Sequence, residues 1–149
     1  MKGISTVAIV GKTNSGKSTL FNRITRSRKA ITHETPGVTR DRMEEIAEWN
    51  GIEFRIIDTG GFSLAGEDPL QPQITERIRR TAEEAEVIIF LVDVDTGITS
   101  EDENLLTTFR EYRDRMIAVV NKVENVQDHI DANEFYGMGL GDIFMVSSL

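Results

Sequence analysis

Cysteine is absent from this sequence, proline occurs only three times, and no apolar run approaches the roughly 20 residues that a membrane-spanning helix needs. Without thiols there is neither a disulfide nor a thiolate metal site, which fits a reducing compartment. The opening MKGISTVAIVGKTNSGKS gives way to a polar loop at Gly11, matching neither a signal peptide nor a membrane span, so a soluble cytoplasmic protein is expected. Basic residues are in the minority: 17 Lys and Arg face 25 Asp and Glu, a formal net charge of −8. That balance argues against direct nucleic-acid binding by this stretch, and no membrane partner is expected. Arg23, Arg26, Arg28 and Lys29 form one local exception and Arg77, Arg79 and Arg80 another. Both read first as solvated helix faces, with phosphate or RNA contact as the alternative. What remains suffices for one domain: 149 residues, 39% of them hydrophobic, bury roughly two-thirds of their unfolded surface without any disulfide.

The run at 5–10 (STVAIV) is short, apolar and closed by Gly11, as a strand buried on both faces of a parallel sheet should be. Leu20, Phe21 and Ile24 follow at helical spacing, so strand, glycine-rich loop and helix are consecutive. Residues 27–40, with Pro36 and Gly37, are polar and without period, long enough for a functional loop. Asn50-Gly51 between two β-rich runs predicts a tight antiparallel hairpin, because both residues tolerate positive φ. Ile74, Ile78, Ala82 and Ala85 mark a helix face, and 87–92 (VIIFLV) a buried strand. Ser100 with Glu103 predicts a capping box ahead of Leu105, Leu106, Phe109 and Tyr112. Strands are expected at 116–120 and 142–146, with a short helix at 128–135 between them. The alternation predicts an α/β fold: a mostly parallel six-stranded sheet with one antiparallel hairpin strand and helices on both faces. Ligands of such sheets bind at the carboxyl ends of the strands, where Gly11, Asp58, Asn121 and Ser147 converge.

Gly11, Lys12, Thr13, Asn14, Ser15, Gly16, Lys17 and Ser18 fit G-x-x-x-x-G-K-S/T, the phosphate-binding P-loop. Its glycines let backbone N–H groups wrap around phosphates, Lys17 supplies a point charge and Ser18 a hydroxyl for Mg²⁺. Asp58, Thr59, Gly60 and Gly61 fit D-x-x-G, in which the carboxylate holds Mg²⁺ through water and the last glycine's N–H approaches the terminal phosphate. Alone, that stretch is ordinary turn chemistry; beside a P-loop it gains meaning. Asn121, Lys122, Val123 and Glu124 end the next strand. A buried acid there accepts from the N1–H and N2–H₂ groups of guanine, donors that adenine does not present together. Ser147 and Ser148 offer backbone N–H groups to the guanine O6, a signal nearly uninformative by itself.

Together these stretches resemble a GTPase domain of the Ras-like P-loop NTPase fold, and in detail the first G domain of the Der (EngA) family of bacterial tandem GTPases. The resemblance spans the chain and rests on GKTNSGKSTLFNR, TPGVTRDR at 35–42, DTGGF at 58–62, DxDTGIT with E-D-E at 93–103, and NKVEN at 121–125. It implies binding and Mg²⁺-dependent hydrolysis of GTP to GDP, with Thr39 closing on Mg²⁺ and the γ-phosphate. Lys17, Thr39, Gly61 and Asn14 become the candidate catalytic groups, and Ser18, Thr39 and Asp58 the metal-site residues. A role in assembly of the large (50S) ribosomal subunit is implied by the family alone. The family's pattern continues past this sequence with a final helix, a second G domain and a KH-like domain. Residues 1–149 therefore read as an N-terminal G domain fragment, with an apolar face expected where the helix would pack.

Departures from the family pattern also matter. Glu124 stands where most relatives carry Asp, and Ser148 where Ala is usual. Phe62 occupies the place of a water-positioning glutamine, and a phenyl ring cannot orient water, so hydrolysis in isolation is expected to be slow. Asn14 matches an asparagine that binds K⁺ in related proteins, and K⁺-stimulated turnover is expected; the plainer role for Asn14 is shaping the loop. His33 reads as a solvated loop residue. The competing function is a nucleotide-gated binding module with negligible hydrolysis, and a third reading, an ATP-using enzyme, is disfavoured by NKxE.

Overall fold

The apolar run at 87–92 forms a strand near the middle of a six-stranded sheet, where both of its faces are covered. The computed structural model describes residues 4–12, 15–27, 43–62 and 71–147. In chain order the elements are β1 (Ser5–Gly11), α1 (Lys17–Ser27), β2 (Met43–Trp49), β3 (Ile52–Asp58), α2 (Pro72–Glu84), β4 (Val87–Asp93), α3 (Ser100–Thr108), β5 (Met116–Asn121), α4 (Val126–Ala132) and β6 (Ile143–Met145). Short 3₁₀ segments follow β3, α3 and α4. The strand order is β2-β3-β1-β4-β5-β6, with every pairing parallel except β2 with β3. At that hairpin Trp49 pairs with Ile52, and Asn50 and Gly51 hold φ of 51° and 79°, the geometry expected of an Asn-Gly turn.

Alternation along the strands divides the core in two. Ala8, Val10, Ile57, Ile88, Phe90 and Val92 pack with Ile74, Ile78 and Ala82 of α2, Leu105 of α3 and Ala132 of α4. On the opposite face Ile9, Ile56, Leu91 and Val119 meet Leu20 and Phe21 of α1. Helices thus cover both faces, as the pattern predicts. On the α1 face Ile89, Ile117 and Val146 are only partly buried. Among the described residues, no helix is long and apolar enough to cross a membrane.

Three local expectations shift. The cap of α3 is Thr99 rather than Ser100, and its reciprocal partner is Asp102 rather than Glu103. By residue type Ser100 is the better cap, so a long-range contact favours Thr99: the register adopted buries Asp102 completely against the Lys12 ammonium. The helix then stops at Thr108, and Phe109 and Tyr112 are carried into the core by the 3₁₀ segment Arg110–Arg115 and its entry. The short helix expected at 128–135 is α4, which starts earlier because the Asn125 side chain accepts from the Asp128 N–H at 2.8 Å.

Phe135 lies in the 3₁₀ segment Asn133–Met138, yet it is 0% exposed and belongs to the main core. Phe135→Ala is expected to cost about 3–5 kcal/mol in equilibrium urea unfolding. The half-exposed neighbour Tyr136, changed to Ala, should cost no more than about 0.5 kcal/mol in the same measurement.

Candidate phosphate and base site

Parallel pairing aligns the strand ends from which the motifs emerge. Ile9 of β1 is in register with Asp58 of β3, Gly11 with Leu91 of β4, and Asp93 of β4 with Asn121 of β5. The loop after β1 therefore leaves the sheet between β3 and β4, where successive connections diverge to opposite sides.

Gly11 makes the turn possible: a Cβ there would lie 2.6 Å from the Leu91 carbonyl oxygen and 2.9 Å from Ser15 Oγ. Gly16 holds φ of 100°, a conformation side chains resist, and its carbonyl accepts the Leu20 N–H at 2.9 Å as α1 begins. The first-turn N–H groups of α1 have no acceptor within the helix, and its dipole is positive at this end. Lys17 Nζ donates to the carbonyls of Gly11 at 2.9 Å and Lys12 at 2.7 Å. Burial pushes the Lys17 pKa below its ordinary value, against the opposing pull of Asp58 and then Glu101. An anion beside it would relieve that penalty.

Across from Lys17, Ser18 Oγ donates to Asp58 Oδ2 at 3.1 Å, while Asp58 Oδ1 accepts the Gly60 N–H at 2.8 Å. Asp58 is fully buried. One hydroxyl and one carboxylate form a hard-oxygen pair that fits Mg²⁺ with waters and phosphate oxygens completing its shell. No cluster of three acidic or imidazole side chains occurs among the described residues, so nothing here resembles an all-protein metal cage. Thr59 turns inward instead, its Oγ1 donating to the Ile9 carbonyl at 2.7 Å, and so ties the D-x-x-G turn to β1.

A hydrogen bond ties the loop after β5 to the loop after β1: Asn121 Nδ2 donates to the Ser15 carbonyl at 3.1 Å. Asn121 Oδ1 accepts the Lys122 N–H at 2.8 Å, holding Lys122 at φ of 67°. Such a left-handed backbone strains a non-glycine residue and persists only where surroundings fix it. Lys122 Nζ is paired with Asp93 Oδ2 at 2.7 Å, and the Val123 N–H donates to the Val146 carbonyl at 3.0 Å. Glu124 is exposed, its N–H donating to Asp128 Oδ2 at 2.9 Å. Sequence reasoning expects a buried carboxylate here; in the structure Glu124 is open to solvent. Ser147 is exposed just beyond β6.

Lys12, Ser15, Gly16, Lys17, Ser18, Asp58, Asn121 and Lys122 thus gather along one edge. Thr13, Asn14, Thr39, His33 and Ser148, expected at the site or beside it, lie outside the described residues, and of Gly61 and Phe62 only the backbone, in the segment Thr59–Phe62, is described. Sequence reasoning missed the roles of Asp93, Thr96, Thr99 and Asp102. Lys12, 5% exposed, donates to Thr96 Oγ1 and lies 3.4 Å from Asp102 Oδ2. The T-x-x-D spacing was the available signal.

The family model described as 50S ribosome-binding GTPase matches residues 6–122. Among curated relatives, GTPase Der of Porphyromonas gingivalis is 47% identical over 143 residues, covering 96% of this chain and 33% of that protein. GTPase Der of Moorella thermoacetica is 49% identical over 142 residues, covering 95% and 32%. The chain spans about one third of the length of these relatives. Among solved structures, Era of Aquifex aeolicus bound to GDP.AlF4- superposes with a TM-score of 0.71 at 29% identity, over 99% of this chain and 52% of that one. Era in complex with MgGDPNP and a 16S ribosomal RNA segment gives 0.69 at 26% identity, over 100% and 52%. With the family model spanning both the phosphate loop and the first two residues of the base loop, the chain belongs to the 50S ribosome-binding GTPase family, and it resembles the Der proteins over almost its whole length.

Proposed function

We propose that this chain is a GTP-binding and GTP-hydrolysing switch domain whose parent protein acts in large-subunit ribosome assembly in the cytoplasm. The observation that carries the nucleotide reading is the shared edge: Lys17 on its loop carbonyls, the Ser18–Asp58 pair, and Asn121 bonded to Ser15. The ribosomal partner is supported by the family description and by the Der relatives, and it belongs to the full-length protein.

In this reading Lys17 and the first-turn N–H groups of α1 bind the phosphates, and Ser18, Asp58 and Thr39 hold Mg²⁺, which neutralises charge on the phosphate oxygens. Thr39 and the Gly61 N–H sense the γ-phosphate, ordering loops 27–41 and 59–72 in the triphosphate state and releasing them afterwards. Phe62 provides no hydrogen bond to an attacking water, so positioning and charge stabilisation carry the reaction and turnover in isolation is slow. Glu124 accepts from the guanine edge, assisted by the N–H groups of Ser147 and Ser148.

Competition against bound GDP tests the base assignment. GTP should displace GDP and ATP should fail to do so at equal concentration; displacement by both would remove Glu124 as the selecting group. Replacing Glu124 by Ala should lower GDP affinity by about tenfold or more while leaving the affinity for ATP unchanged.

Single-turnover phosphate release separates an enzyme from a binding module. Release should be faster in K⁺ than in Na⁺, and Asn14→Ala should abolish the difference. Equal rates in the two salts would rule out the Asn14 role, and no release above background in either would favour a module that binds without hydrolysis.

A further inference from the structure

Lys12 belongs to the P-loop by sequence, yet its side chain is committed elsewhere. Its ammonium donates to Thr96 Oγ1 and, at 3.4 Å, to Thr99 Oγ1, and lies 3.4 Å from Asp102 Oδ2. Both ends of this ion pair are out of solvent, with side-chain exposures of 7% for Lys12 and 0% for Asp102. Asp102 is held rigidly in turn, its Oδ2 accepting from the Thr99 N–H at 2.9 Å and from Thr99 Oγ1 at 3.0 Å. Desolvating two charges makes such a pair a poor device for stability alone, since an apolar pair of similar size serves that end as well or better. Asp102 Oδ1 is moreover buried without a partner. What a buried ion pair adds is a fixed direction and a fixed length.

The direction matters because of where Lys17 is attached. Its ammonium is held by two main-chain carbonyls, those of Gly11 and of Lys12 itself. The Lys12 side chain, held by Thr96, Thr99 and Asp102, belongs to this same short piece of backbone. We propose that Lys12 is a positioning residue which, gripped by Asp102 at the start of α3, fixes the carbonyls that aim the Lys17 ammonium at the nucleotide phosphates. Lys12 touches no phosphate in this scheme. Loosening its grip lets both carbonyls drift, and phosphate binding suffers while the base contacts at Asn121 and Glu124 stay intact.

The proposal rests on the reading of this edge as a guanine-nucleotide site, and the experiment separates the two. GDP affinity by calorimetry, the ³¹P resonances of bound GDP at saturation and the melting temperature are to be measured for the wild type, Lys12→Met, Lys12→Arg and the double variant Lys12→Met/Asp102→Asn. Lys12→Met leaves the Asp102 charge buried and unpaired, so it is expected to melt lower; the double variant removes that charge and recovers thermal stability. Both should bind GDP about tenfold to a hundredfold more weakly than the wild type, with a displaced β-phosphate resonance, and Lys12→Arg should restore most of the affinity. If the double variant binds GDP within about twofold of the wild type with an unmoved β-phosphate resonance, the ion pair is structural only and the proposal is wrong. Failure of the wild type itself to bind GDP would overturn the nucleotide reading, and the role of Lys12 with it.

Discussion

Leu91 of β4 and Gly11 of β1 are paired so closely that no Cβ fits at the glycine. That approach lets β1 run to the end of the sheet and turn at once into α1, so the helix N-terminus and the Lys17 ammonium come to the same small volume. Everything else in the site is indexed to it. Asp58 arrives from β3, in register with Ile9, and Asn121 arrives from β5 to bond the Ser15 carbonyl. A larger residue at Gly11 would separate β1 from β4 at the point where three motifs meet.

The electrostatics follow the same economy. In a chain of net charge −8, three lysines at one edge are each fixed by a different device: carbonyls for Lys17, the buried Asp102 for Lys12, and Asp93 for Lys122. Burial lowers the Lys17 pKa, and the nearby charges of Asp58 and Glu101 offset that only in part. An anion placed beside Lys17 would offset that desolvation further.

Legibility of the fold in the sequence followed the range of the interactions. The Asn-Gly hairpin, the buried strands and the P-loop are encoded within a few residues of themselves, and their positions were readable to within about two residues. The α3 cap slipped by one because TSEDE at 99–103 offers two overlapping boxes, and the choice between them lies in a contact with Lys12, remote in the chain. Thr59 and Lys12 were readable as motif members but not as struts, since their partners, the Ile9 carbonyl and Asp102, have no local signature. Exposure of Glu124 was hidden likewise: spacing names the residue, while burial depends on what packs over the loop.

The connection from Asp93 to Asp102 grips Lys122 at one end and Lys12 at the other. One short piece of chain therefore carries carboxylate partners for both the loop that follows β1 and the loop that follows β5. A displacement of α3 that carried this connection with it would disturb Lys12 and Lys122 together, and so both loops at once.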